Sequence, residues 1–96
     1  MKQLIECVPN ISEGIDEEKI RIISSVVEEI DGVKLLNVDP GKATNRTVIT
    51  FVGEPQNVID AAFLLIQKAQ ELINMSKHSG EHPRMGATDV CPLVPI

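Results

Sequence analysis

The stretch VKLLNVDPGKATNRTVITFV, residues 33–52, decides the fold. Both of its ends are rich in aliphatic and β-branched residues, which suit a pleated, half-buried surface, and the run over 47–52 is the stronger of the two. Between them Pro40-Gly41-Lys42-Ala43-Thr44 has turn chemistry, because proline presets φ and glycine tolerates the positive φ that tight turns demand. The pattern predicts strands over 33–39 and 47–52 joined as a hairpin.

On either side of the hairpin the apolar period changes from two to 3.6. Ile20, Ile23, Val26 or Val27, and Ile30 recur at helical steps, with Glu17, Glu18, Glu28 and Glu29 on the opposite face. Asp16 or Ser12 is the expected cap of this helix, and Asp31-Gly32 its end. Beyond the hairpin, Gly53 stops the strand and Pro55 suits a first helical turn. Val58, Ala61, Ala62, Leu65, Ala69, Leu72 and Ile73 then mark a wide buried stripe to about residue 75. The outermost apolar runs, over 4–8 and 90–96, read as strands, the second confined to an edge by Pro92 and Pro95.

The order strand, helix, strand, strand, helix, strand is the βαββαβ pattern of an α+β, ferredoxin-like fold. Right-handed crossovers then give a four-stranded antiparallel sheet of order 4-1-3-2 with two helices on one face. In that arrangement one end of the sheet collects Asn10, Ser12, Asp39, Asn45, Arg46 and the segment carrying His82. Cys7 is expected opposite or near Cys91, both as thiols. Apolar residues at both parities, such as Leu35 with Leu36 and Val48 with Ile49, leave the helix-free face in need of cover by a second copy (a homo-oligomer) or a second subdomain.

Ninety-six residues, 43% of them apolar and 24% charged, suit one folded domain over 1–96. Two cysteines and a start, MKQLIE, without an apolar signal core point to the cytoplasm. No run is long enough to span a membrane. A net charge of -5 with no Trp, no Tyr and two Phe argues against nucleic acid as a partner.

The densest run of reactive side chains is KHSGEHPR, residues 77–84. His78 to His82 matches H-x-x-E-H, but Gly80 and Pro83 oppose the helix that such a zinc signature requires, so no metal is expected. His82, stiffened by Pro83, suits proton transfer because an imidazole titrates near about pH 6.5; a surface imidazole bonded to a neighbour fits the spacing equally well. Arg46 and Arg84 have the fork that grips a carboxylate, although loop arginines are most often solvated. Asp39, Asn10 and Asn45 read by default as turn residues bonding their own backbone. No glycine-rich phosphate-binding loop is present in the sequence.

Four motifs in order, ECVPNISEG (6–14), DPG with TNRT (39–41 and 44–47), TFVGEP (50–55) and HPRMG (82–86), resemble the glutamate formiminotransferase family. The likeness is to its N-terminal subdomain, which also fronts the formiminotransferase-cyclodeaminases, and it covers the chain from end to end. Ile11 stands where an aromatic is usual, and Lys42-Ala43 departs in the turn. The resemblance implies transfer of the formimino group from N-formimino-L-glutamate to N5 of tetrahydrofolate, the folate being a co-substrate, in histidine degradation and one-carbon metabolism. It also implies that His82 is the catalytic acid or base. With it go the expectations that Asp39 orients the imidazolium, that Arg46 or Arg84 holds a substrate carboxylate, and that Asn10 and Asn45 line the substrate site. The family's second subdomain is absent from these 96 residues, so the alternative expectation is a non-catalytic folate-binding or assembly module.

Overall fold

One strand organises the sheet. In the computed structural model, which describes residues 3–74, 88–90 and 93–95, β4 (Arg46–Gly53) bonds β1 (Ile5–Cys7) and β2 (Asn10–Ile11) along one edge and β3 (Lys34–Gly41) along the other. β5 (Thr88–Val90) pairs with β2, and β6 (Leu93–Pro95) with β1. Every pairing is antiparallel. The result is a mixed α/β unit with two helices and a curled antiparallel sheet.

The first predicted strand is interrupted, and the cause is local. Pro9 has no N–H to donate, so the ladder lapses, yet its carbonyl still accepts from the Ile49 N–H at 3.0 Å. The register survives the gap, with Cys7 opposite Phe51 and Asn10 opposite Val48. β5 and β6 keep step in the same way, Val90 facing Asn10 and Leu93 facing Cys7. Cys91 lies outside the described residues, and Cys7 is fully buried.

The hairpin strands are longer than predicted, because pairing continues to Gly41 opposite Arg46 and leaves only residues 42–45 in the turn. Asn45, at φ 57, adopts the left-handed conformation that asparagine tolerates better than most residues. Leu36 is a bulge residue between Leu35, opposite Phe51, and Asn37, opposite Thr50. This accounts for the adjacent leucines: Leu35 joins the core while Leu36 stays half exposed.

α1 (Glu17–Ser25) starts at Asp16, whose carboxylate accepts from the N–H groups of Glu18 and Lys19 at 3.1 and 3.2 Å. It tightens into a 3-10 turn, Val26–Glu29, and the chain reverses through Gly32 at φ 89, a conformation available to glycine at little cost. α2 (Pro55–Ala69) places proline in its first turn and passes into a π turn, Gln70–Asn74. The predicted stripe is the buried one: Val58, Ala61, Ala62, Leu65, Ala69 and Ile73 join Ile23, Val26 and Val27 in one cluster with Cys7, Ile11, Ile49 and Phe51 of the sheet. A second apolar row on α2, Ile59, Phe63 and Ile66, faces outward. No helix among the described residues is long and apolar enough to cross a membrane.

β4 alternates strictly between half-buried and buried positions. Thr47, Ile49 and Phe51 point into the cluster, so Arg46, Val48, Thr50 and Val52 belong to the helix-free face. That face is mixed in character rather than apolar throughout, since exposed Lys34, Asn37 and Asp39 border it from β3. Phe51 is fully buried at the centre of the cluster. Phe51→Ala is expected to lower unfolding free energy by about 3–5 kcal/mol through lost transfer energy and a residual cavity, as measured by urea denaturation.

Candidate functional site

The register settles which sequence-selected residues meet. Asp39 of β3 and Asn10 of β2 stand directly opposite Val48 of β4, one on each side, and so form a row Asp39–Val48–Asn10 across the sheet. With strands spaced about 4.8 Å apart, the two outer Cα atoms lie about 10 Å from each other. Arg46 is two residues along β4 from Val48, hence on the same helix-free face and about 7 Å further along it. It is diagonal to Asp39 across the β3–β4 ladder, within reach for a long side chain.

Asn10 and Arg46 were expected beyond the ends of their strands, and Asp39 as the last residue of its own. All three are strand residues, because β2 spans Asn10–Ile11, β3 runs on to Gly41 and β4 begins at Arg46. A strand position fixes the direction of a side chain more tightly than a loop does. The arrangement provides a carboxylate, a guanidinium and a primary amide around a small aliphatic floor. A cation and a carboxylate side by side can bind a zwitterionic or acidic ligand and hold it in one orientation.

Asn45 behaves differently. Its Oδ1 accepts from the Gly14 N–H at 2.9 Å, so its acceptor end is engaged within the protein. Next to it, the hydroxyl of buried Thr47 donates to the Glu13 carbonyl. Residues 13 and 14 thus grip the chain on both sides of Arg46. The approach is close: a Cβ built on Gly14 would lie 2.5 Å from the Gly41 carbonyl oxygen and 2.6 Å from the Arg46 nitrogen. The Glu13 carboxylate in turn accepts from the Ile15 and Asp16 N–H groups at 3.2 and 2.9 Å, linking this corner to the start of α1.

His82 and Arg84, with His78 and Glu81, lie outside the described residues. Among the described residues no three His, Cys, Asp or Glu side chains assemble as a metal-holding group. Sequence reasoning overlooked Gly14 and Thr47. The signal for Thr47 was its parity with Ile49 and Phe51, which sends a hydroxyl inward and obliges it to find an acceptor. For Gly14 the sequence carried only a glycine between strand and helix, and long-range contact with the hairpin leaves no local trace.

Fold and site together define an α+β module with helices on one sheet face and a polar cluster on the other. The family model for the formiminotransferase domain, N-terminal subdomain, matches residues 4–96, and the chain belongs to that family. It is 55% identical over all 96 residues to a formimidoyltransferase-cyclodeaminase of Mus musculus, covering 18% of that protein. It is 49% identical over its full length to a glutamate formimidoyltransferase of Streptococcus pyogenes serotype M1, covering 32% of it. With the glutamate formimidoyltransferase of Thermoplasma acidophilum it shares 48% over 93 residues, 31% of that chain. The chain therefore spans between 18% and 32% of the length of these relatives.

Gly14→Ala is expected to cost about 2 kcal/mol or more, since backbone atoms on three sides leave its Cβ no space. Ile15→Ala, at a position 57% exposed, should change stability by less than about 0.5 kcal/mol. Chemical denaturation of the two variants side by side tests the contrast.

Proposed function

We propose that residues 1–96 act as one subdomain of a cytoplasmic transferase that moves the formimino group of N-formimino-L-glutamate to N5 of tetrahydrofolate. The observation that carries the proposal is the row Asp39–Val48–Asn10 with Arg46 beside it on the helix-free face. The names of the relatives, which are glutamate formimidoyltransferases and formimidoyltransferase-cyclodeaminases, supply the reaction. The pairings around β4 support the ferredoxin-like order 4-1-3-2, with β1 and β2 as the two pieces of the first strand and β5 and β6 as those of the last.

In this reading N5 of the folate attacks the formimino carbon and a tetrahedral intermediate forms. The glutamate nitrogen then departs as the N5–carbon bond is kept. His82 takes the proton that N5 loses and returns it to the departing nitrogen, so one imidazole serves both halves of the exchange. Asp39 orients that imidazole. Arg46, with Arg84, holds a carboxylate of the glutamate moiety by paired hydrogen bonds, and Asn10 supplies a further polar contact. The helix-free face is completed by a second subdomain or a second copy.

In a transfer-competent assembly, His82→Ala is expected to lower kcat by about 10²- to 10⁴-fold, the range for a lost general acid-base, while Asp39→Asn lowers it by about tenfold. Steady-state assay of formiminoglutamate turnover, with calorimetry of tetrahydrofolate binding, measures both. Near-normal turnover in His82→Ala overturns the assignment, and folate binding without any turnover in the unmutated protein selects a binding module instead.

A further inference from the structure

We propose that Asn45 is a positioning residue for Arg46, acting through Gly14, and does not itself bind substrate. The inference rests on the reading of Arg46 as the carboxylate anchor. Bidentate recognition needs the root of the guanidinium held still, because two parallel hydrogen bonds are lost together when the fork tilts. Arg46 is the first residue of β4, at the mouth of a turn, where a strand frays most readily. Its immediate neighbours are the residues tied down. Asn45 accepts the Gly14 N–H at 2.9 Å, and Thr47 donates to the Glu13 carbonyl. Two consecutive loop residues thereby clasp the two residues that flank the arginine.

The amide of Asn45 suits this task in two ways. Its backbone sits at φ 57, which asparagine accepts and most residues resist. Its side-chain oxygen is aimed across a sequence separation of 31 residues at an N–H on the strand-to-helix loop. Gly14 answers with the absence of a side chain, so that its backbone lies directly against Gly41 and Arg46. A direct ligand role would use the amide NH2 of Asn45, whereas the clasp uses its oxygen. Aspartate keeps that oxygen and discards the NH2, and would also repel a substrate carboxylate, so the two roles predict opposite results for one substitution.

The test is a double-mutant cycle in a transfer-competent assembly, reading KM for formiminoglutamate and kcat separately. Asn45→Gly keeps the positive φ and hence the turn, but removes the acceptor. It is expected to raise KM about tenfold with kcat altered less than about threefold. Asn45→Asp should recover most of that loss. Arg46→Ala should raise KM at least as much as Asn45→Gly, and adding Asn45→Gly to Arg46→Ala should have less than a twofold further effect, since residues acting as one unit are not additive. Amide exchange of Gly14, faster in Asn45→Gly and restored in Asn45→Asp, reports the clasp without any turnover. If Arg46→Ala leaves KM unchanged, the carboxylate anchor is wrong and the clasp's role falls with it. If Arg46→Ala raises KM but the two effects add, or Asn45→Asp fails as badly as Asn45→Gly, the anchor stands and the positioning role alone is overturned.

Discussion

Each residue of β4 must choose between two faces, and the register of the strand makes that choice once for the whole sheet. Burial of Thr47, Ile49, Phe51 and Gly53 against the helices sends Arg46, Val48, Thr50 and Val52 to the other side. A slip by one position would bury a guanidinium and expose a phenyl ring, so the core and the polar face specify one another. The neighbouring strands inherit the result. Asp39 and Asn10 share a face with Arg46 because both stand opposite Val48, although Asn10 lies 29 residues from Asp39 and 38 from Val48 in sequence.

The corner at residues 13–16 connects the two layers. Its backbone holds Asn45 and Thr47 on the sheet, while the Glu13 carboxylate holds the N–H groups of Ile15 and Asp16 and Asp16 caps α1. Charge placement reinforces this, since Glu17 and Glu18 occupy the first turn of α1, at the positive end of its dipole. One short loop therefore fixes the hairpin tip relative to the helix, and the root of Arg46 belongs to that rigid corner rather than to a free turn.

Much of the fold was legible because it is governed by period. The stripes on α1 and α2, the Asp16 cap, the Pro55 start and the hairpin were each written locally, in spacing or in residues with restricted dihedrals. The breaks were less legible. Pro9 interrupts a strand without shifting its register, and Leu36 bulges out of an otherwise regular run; both depend on what the partner strand offers. The outward row on α2 was also hidden, because Phe63, 65% exposed, is as apolar as its buried neighbours. At the candidate site, Asn10, Asp39 and Arg46 were selected by residue type, and their shared face follows from strand parity. Asn45 shows the limit of that approach. Its type suits a ligand contact and a turn equally, and only the position of Gly14, 31 residues away in sequence, separates the two.

Identity near 50% across the whole chain establishes the family, but it does not by itself say how much of a working site these strands carry. Geometry bears on that question. A ligand pocket commonly covers some 70–90% of a small molecule's surface, and one face of a single sheet layer covers less than half of anything lying on it. The row Asp39–Val48–Asn10 supplies a floor with polar margins, and Arg46 a charged end. The enclosing walls must come from atoms other than those of β2, β3 and β4. Desolvation sharpens the point: the attraction between a guanidinium and a carboxylate is weak on an open face and becomes strong when water is excluded. Under the proposed function, a face built this way binds its substrate carboxylate strongly only once a second surface closes over it.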